Sequence, residues 1–419
     1  MQNAQTIPDK FTPYQKFAVV ILTLIQFTVV LDFMILSPLG DILMKSLEIT
    51  PKQFSWVLSS YAFSAAVSGI VAAGFADRFD RKKFLLFFYV GFVLGTLFCG
   101  LANTYETLLA ARIITGLFGG VIGATGMAII TDLFAMNQRG RVIGIVQMAF
   151  AGSQILGIPA ALYIAAKWDW HMSFYMIVVL TVFIGLAILI KMKPVVEHLK
   201  LQSDKNAFHH LWSTLGNKSY QIGFIAMVML PVGGFMLMPF SSAFLVNNIG
   251  IAQTDLFIIF FCTGISSMII MPIIGKISDK VDKFWLFTIG SIWAVVMVIY
   301  YTNMSPVPIW QVIVINMLLF MGIMSRVIPA TTLSTAIPEM KDRGAFMSIN
   351  SSLQQMAGGL ASLAAGFIVV QSSKTSPIEH YDILGYVVAA VTLICIFLIY
   401  RVSVMVKLKN TQLEKSKTA

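Results

Sequence analysis

Apolar runs of about twenty residues or more recur a dozen times along this chain, and very few contain a charge. As a helix, each run is long enough to cross a hydrocarbon core of about 30 Å. In lipid the backbone must satisfy its own hydrogen bonds, which leaves helices or a closed barrel. The runs lack the period-two alternation of barrel strands. The chain is therefore expected to be an all-α membrane protein. Composition agrees: 58% of the 419 residues are hydrophobic and 11% are charged, against roughly half and a quarter in soluble domains.

Twelve transmembrane helices are read, at residues 15–41, 54–76, 84–102, 106–131, 142–165, 172–191, 220–246, 253–276, 284–303, 309–334, 345–370 and 380–402. With the N-terminus on the cytoplasmic side, 23 of the 29 basic residues fall on that side. Lys45, Lys52, Lys167 and Lys374 fall on the other, and Arg112 and Arg326 lie within spans. This asymmetry predicts that both termini are cytoplasmic. It also accounts for the net charge of +10 through topology and attraction to anionic lipid heads, with no nucleic acid as partner. The polar start has no signal-peptide pattern, and the first run is too long for a signal core and contains Asp32, so it is expected to be retained. Cys99, Cys262 and Cys395 all sit in apolar runs and read as small hydrophobes. No disulfide framework, metal-ligand spacing or cofactor motif is visible, so neither metal nor cofactor is expected.

The chain repeats itself. Gly74 to Lys83 reads GFADRFDRKK, and Gly275 to Lys283 reads GKISDKVDK. Asn137-Gln138-Arg139-Gly140-Arg141 is echoed by Lys341-Asp342-Arg343-Gly344. The offsets are 201 and 204 residues. Residues 1–191 are thus expected to form one six-helix half and 220–419 a second, pseudo-symmetric half with a short cytoplasmic tail. Residues 192–219 are expected to form a cytoplasmic linker with an amphipathic helix near Phe208 to Leu215. Two parallel six-helix repeats about an axis normal to the membrane are a known transporter plan.

These residues resemble the major facilitator superfamily. Gly74, Asp77, Arg78, Arg81, Lys82 and Lys83 are similar to that family's signature between its second and third helices, except that Asp80 stands where glycine is usual. Arg112, Gly116 and Gly119 resemble a fourth-helix motif of its proton-coupled members. Gly152 to Pro159 resembles the family's glycine-proline antiporter motif, with Ile158 inserted before the proline. The sugar-efflux and multidrug export branches look most similar. The resemblance implies the major facilitator fold and transport rather than catalysis.

Asp32 is the one carboxylate read well inside a span, where an acid costs about 2.5–3.5 kcal/mol on insertion scales. Its depth is about 13 Å at about 1.5 Å per residue, and Arg112 lies about 9 Å from the same surface, so the two are expected to meet if their spans are neighbours. Burial favours the neutral acid and the guanidinium favours the carboxylate. Asp32 with Arg112 reads either as a proton-coupling site or as a structural ion pair. Arg326, in the tenth span, has Gly123 as its repeat equivalent, so symmetry does not explain it. Its partner is either a carbonyl freed by Pro329 or an acidic group on the substrate. Pro231, Gly233-Gly234 and Pro239 are read as breaking the seventh span, for packing or for binding. Gln154, Asn316, Asn350 and Gln354 are candidates for the substrate cavity, with interhelical hydrogen bonding as the alternative. Gly74, Asp77, Arg81 and Asp132 read as a gate, Arg81 pairing with Asp77 or Asp132, and Asp77 facing a helix N-terminus.

The function expected is a proton-coupled exporter (antiporter) of a small organic compound by alternating access. Its partners would be that substrate, protons and the lipid bilayer, and it is expected to be a monomer in a bacterial inner (plasma) membrane. The alternatives are a proton symporter importing a small organic acid, and a transport-dead membrane sensor or scaffold. No catalytic dyad, nucleotide loop or pore segment supports an enzyme or a channel.

Overall fold

Apolar runs that must bond within themselves become helices throughout the described residues. The computed structural model describes residues 11–73, 75–197, 199, 207–339, 342–373 and 375–418. Its helices are α1 (Pro13–Ile35), α2 (Gly40–Ser46), α3 (Pro51–Ala73), α4 (Arg81–Leu101), α5 (Tyr105–Leu133), α6 (Met136–Gly152), α7 (Ile158–Lys167) and α8 (Trp170–Lys191). They continue as α9 (Ala207–Gly216), α10 (Lys218–Asn247), α11 (Leu256–Lys280), α12 (Lys283–Thr302), α13 (Ile309–Thr335), α14 (Arg343–Ile368) and α15 (Tyr381–Thr418). A π-helical turn, Ser153–Gly157, joins α6 to α7. Among the described residues the only β pairing is the isolated bridge between Val370 and Glu379.

Eleven stretches of the described residues are long and apolar enough to cross a membrane. The twelfth long helix, α14, spans 26 residues. It carries Ser, Gln and Gly along much of its length and packs against α3 and α10. The helix expected in the linker is α9.

Two expectations need correction. The first span is expected to reach residue 41, but α1 stops at Ile35 and a turn leads into α2. Pro38 explains this, because its ring opposes the carbonyl one turn back and disfavours helix at the preceding residue. The seventh span is not broken: α10 runs as one helix through Pro231 and Pro239. Pro239 removes a bond to the Phe235 carbonyl, and Ser362 Oγ of α14 donates to that carbonyl at 3.0 Å. Neighbouring helices re-satisfy freed backbone groups, which is why proline is tolerated in membrane helices.

The core is organised by end. Towards the end of the bundle remote from the termini, one continuous cluster draws Leu31, Leu43, Phe54 and Ala161 together with Phe240, Leu245, Ile259 and Ala365. Towards the opposite end the core is divided: a small cluster joins Ala72, Phe84 and Val121, and two larger ones stand apart from each other. One is built around Leu22, Tyr89, Ile130 and Ile188, the other around Phe224, Phe287, Phe346 and Ile399. Helices α1–α8 and α10–α15 therefore share a core at one end only. Between them α14 lies directly on α3, where a Cβ on Gly366 would come 2.1 Å from Ser55 Oγ.

Candidate functional site

Asp32 sits near the end of α1, with both it and Arg112 of α5 essentially sealed from solvent. Arg112 Nη1 donates to Asp32 Oδ2 at 2.7 Å. Thr96 of α4 donates to Asp32 Oδ1 at 3.1 Å. The Arg112 guanidinium lies 4.4 Å from the Tyr61 ring centroid, a cation–π contact that steadies the charge where water is excluded. Arg112 Nε has no hydrogen-bond partner. Close packing of α3 on α5 makes this possible: a Cβ on Gly116 would come 2.1 Å from Ser64 Oγ and 2.5 Å from the Tyr61 carbonyl. The meeting of Asp32 with Arg112, expected from their depths, is present.

Aromatic contacts lead from this pair to the other helix group. Tyr61 meets Phe33, the residue after Asp32, at 5.2 Å between centroids. Phe33 in turn meets Phe235 of α10 at 5.7 Å. Rings at such spacings gain from edge and offset geometry.

Arg326 lies in a different setting. It is buried on α13 and lines a cavity of about 160 Å³ bounded by α10, α12, α13, α14 and α15. Gln354 lines the same cavity. Arg326 stands 5.5 Å from the Phe287 ring centroid, and its Nε has no hydrogen-bond partner. Ser325, beside it, spends its hydroxyl on the Gly322 carbonyl at 2.9 Å.

The remaining candidates scatter. Asn316 Nδ2 donates to Thr263 Oγ1 at 3.1 Å, which ties α13 to α11. Gln154 is buried in the π turn beside Gly264 of α11, and its Oε1 is unpartnered. Asn350 is buried with its Oδ1 unpartnered. Arg81 Nε pairs with Asp132 Oδ2 at 3.2 Å. Gly74 and the side chain of Asp77 lie outside the described residues. Asp80 replaces the usual glycine at no conformational cost, since its φ is −55° and its side chain caps α4. It accepts from Lys82 N at 2.9 Å and from Val195 N at 3.0 Å, binding the loop to the linker.

One group escaped sequence reading. Asp41 of α2 is buried and joins the two helix groups at the end where they share a core. It accepts from Lys45 Nζ at 2.7 Å, from Asn247 Nδ2 at 2.7 Å and from Gln253 Nε2 at 3.2 Å. Lys45 also donates to Asn247 Oδ1 at 3.1 Å. The signal available was the pairing of Asp41 with Lys45 one turn later, together with Pro38 as a helix stop.

A family model described as Major Facilitator Superfamily matches residues 22–340. The uncharacterized MFS-type transporter YceJ of Bacillus subtilis (strain 168) is 24% identical over 263 residues, which is 62% of this chain and 66% of that one. Multidrug resistance protein 3 of the same strain is 31% identical over 152 residues, 36% of this chain and 30% of that one. Both alignments span less than two thirds of the relative's length. Among solved structures, a bacterial homolog of the human lysosomal transporter Spinster, inward-facing and unoccupied, superposes with a TM-score of 0.74 at 16% identity. That match covers 94% of this chain and 98% of the other. At this identity the likeness is one of fold.

Proposed function

The chain belongs to the major facilitator superfamily, a family of transporters rather than enzymes, and on that premise we propose that it is a proton-coupled exporter of a small organic compound. The observation that carries the proposal is the sealed Asp32–Arg112 pair. A carboxylate taken out of water beside one guanidinium has two accessible states: ionised and held, or protonated and released. Either change alters what Arg112, Tyr61 and Phe33 do next, and Phe235 on α10 is in direct contact with Phe33. Proton occupancy is thereby tied to the relative position of the two helix groups.

The proposed arrangement has twelve spans, both termini in the cytoplasm, halves at residues 1–191 and 220–419, and the linker 192–219 between them. The basic residues of the terminal-side loops support that orientation. In it, the shared core and the Asp41 cluster close the outer face, while the separate cores leave the halves free to part on the cytoplasmic face. The state described is then inward-facing. Export follows when substrate enters from the cytoplasm, the Asp41 cluster opens, and a proton entering from outside resets Asp32. The Arg81–Asp132 pair, already formed in this state, holds the start of α4 to the end of α5 and is the described part of the proposed gate; Gly74 and Asp77 complete it in the sequence reading. Each inward charge supplies about 2.3 kcal/mol per 100 mV. The relative named for multidrug resistance supports export. A monomer in a bacterial plasma membrane suffices for this cycle. Import of a small organic acid with protons is the second reading, favoured by Arg326 and its cavity with Gln354. Gln154, Asn316 and Asn350 are then helpers at the substrate path.

The test is internal pH in proteoliposomes on addition of candidate compounds, comparing wild type with Asp32→Asn. Substrate-dependent proton flux that disappears in the variant is expected, and its sign separates export from import. Flux that persists unchanged in Asp32→Asn removes that residue from coupling. Labelled compound equilibrating without proton movement makes the protein a uniporter.

A further inference from the structure

Arg326 cannot shed its charge, because a guanidinium stays protonated at any relevant pH. It is only 5% exposed, yet it makes no ion pair with any described residue. Its flat face is used by the Phe287 ring, but its Nε is left without a hydrogen-bond partner. The rest of the cavity wall has a consistent character. Ile323, Val298, Leu230 and Val388 supply apolar surface. Two further polar side chains face in, the Gln354 amide and the Thr392 hydroxyl, and neither forms a hydrogen bond with another described residue. A charged fork, an amide and a hydroxyl thus line one small greasy space, and the only side chain of the described residues that hydrogen-bonds the fork is the neutral Cys395 thiol, which leaves its charge unmatched.

We infer that this cavity within the last six helices is a binding site for the acidic head of a compact amphipathic monocarboxylate. The chemistry follows from the three donors. A guanidinium fork bonds a carboxylate in a bidentate way, and the amide and hydroxyl can complete its lone pairs. One net positive charge suits a monoanion; a second negative charge would be left uncompensated in an apolar wall. Size sets the body of the ligand. A cavity of about 150 Å³ lined by aliphatic and aromatic side chains accepts benzene, and this one measures about 160 Å³, so benzoate-sized acids fit. Calling that acid the cargo rests on the transporter reading; its binding does not.

The test is calorimetric titration of the purified full-length chain in detergent with benzoate, with benzamide as the neutral isostere, and with chloride. Benzoate is expected to bind at least about tenfold more tightly than benzamide, since the neutral amide offers the guanidinium one acceptor oxygen and no charge. Arg326→Gln should abolish that preference, Arg326→Lys should retain part of it, and Gln354→Leu should weaken benzoate several-fold with the charge intact. Size-exclusion profiles confirm that each variant is folded. Equal affinity for acid and amide, benzoate binding unaltered in Arg326→Gln, or full displacement by equimolar chloride would each overturn the inference. If benzoate binds through Arg326 but no compound drives proton flux, the transport reading fails while this site stands. If other compounds drive flux and benzoate does not bind, the site fails alone.

Discussion

Two buried arginines, one on α5 and one on α13, have been given opposite treatment. Arg112 is held by a carboxylate, a ring and a tightly packed helix pair. Arg326 has a ring on one side and a cavity on the other. The sequence echo does not extend to either arrangement: at an offset of 203, the counterparts of Asp32 and Arg112 are Phe235 and Ile315, and that of Arg326 is Gly123. The echo does extend to Asp80 and Asp282, each of which caps the helix after its loop. Charges inside the membrane were assigned separately to each group. A self-contained pair suits a site that must empty and refill with protons, whereas an unpaired cation suits a site that waits for something else.

The contrast is sharpest in stability. Removing Arg112 (Arg112→Leu) strands the Asp32 carboxylate and should cost about 3–5 kcal/mol, read as a large drop in the unfolding temperature in detergent. The double variant Asp32→Asn/Arg112→Leu should recover most of that loss. Arg326→Met strands no carboxylate, so it should be neutral or stabilising by about 1–4 kcal/mol. If Arg326→Met were as damaging as Arg112→Leu, the two sites would not differ in the way described. Next in size is the contact between the groups. Phe33→Leu keeps most of the volume but loses ring contacts worth about 0.5–1.5 kcal/mol, so protons moved per substrate should fall while substrate still moves. Smallest is the repeat's shared cap. Lys407 donates to Asp282 at 2.7 Å, and that hydrogen bond, aided by backbone donors and opposed by partial burial, holds the Asp282 carboxyl below the usual carboxylate range. A carboxylate depressed on folding stabilises above its unfolded pKa of about 3.9 and loses that contribution as pH falls through the folded value. Because the pair is well exposed, Asp282→Asn should cost only about 0.2–1 kcal/mol near neutrality, and the difference from wild type should vanish in acid.

How legible this was depended on how local each feature is. The Asp32–Arg112 meeting needed depth along two helices, a matter of counting residues, and the adjacency of their spans, which counting does not give. Sequence leaves Arg81 between Asp77 and Asp132, which lie at the same membrane face, and the structure shows it paired with Asp132. Asp41 did not, because hydropathy ran α1 on through the turn at Pro38, and the partners Asn247 and Gln253 lie some two hundred residues away. The continuity of α10 was hidden for the same reason: nothing near Pro239 in sequence announces that Ser362 will serve the Phe235 carbonyl. Arg326 stood out as an oddity, but its cavity is made by five helices and has no signature in any one of them.

The π turn at Ser153–Gly157 gives the extra Ile158 a meaning. In an α-helix each added residue rotates everything beyond it by about 100°, which would swing Tyr163 away from Phe257, a contact that is present here. A one-residue bulge absorbs such an addition where it occurs. The span downstream thus keeps its angular phase. Here a single-codon deletion would shorten the helix without turning its far half, whereas the same deletion elsewhere in the span would misalign every contact beyond it.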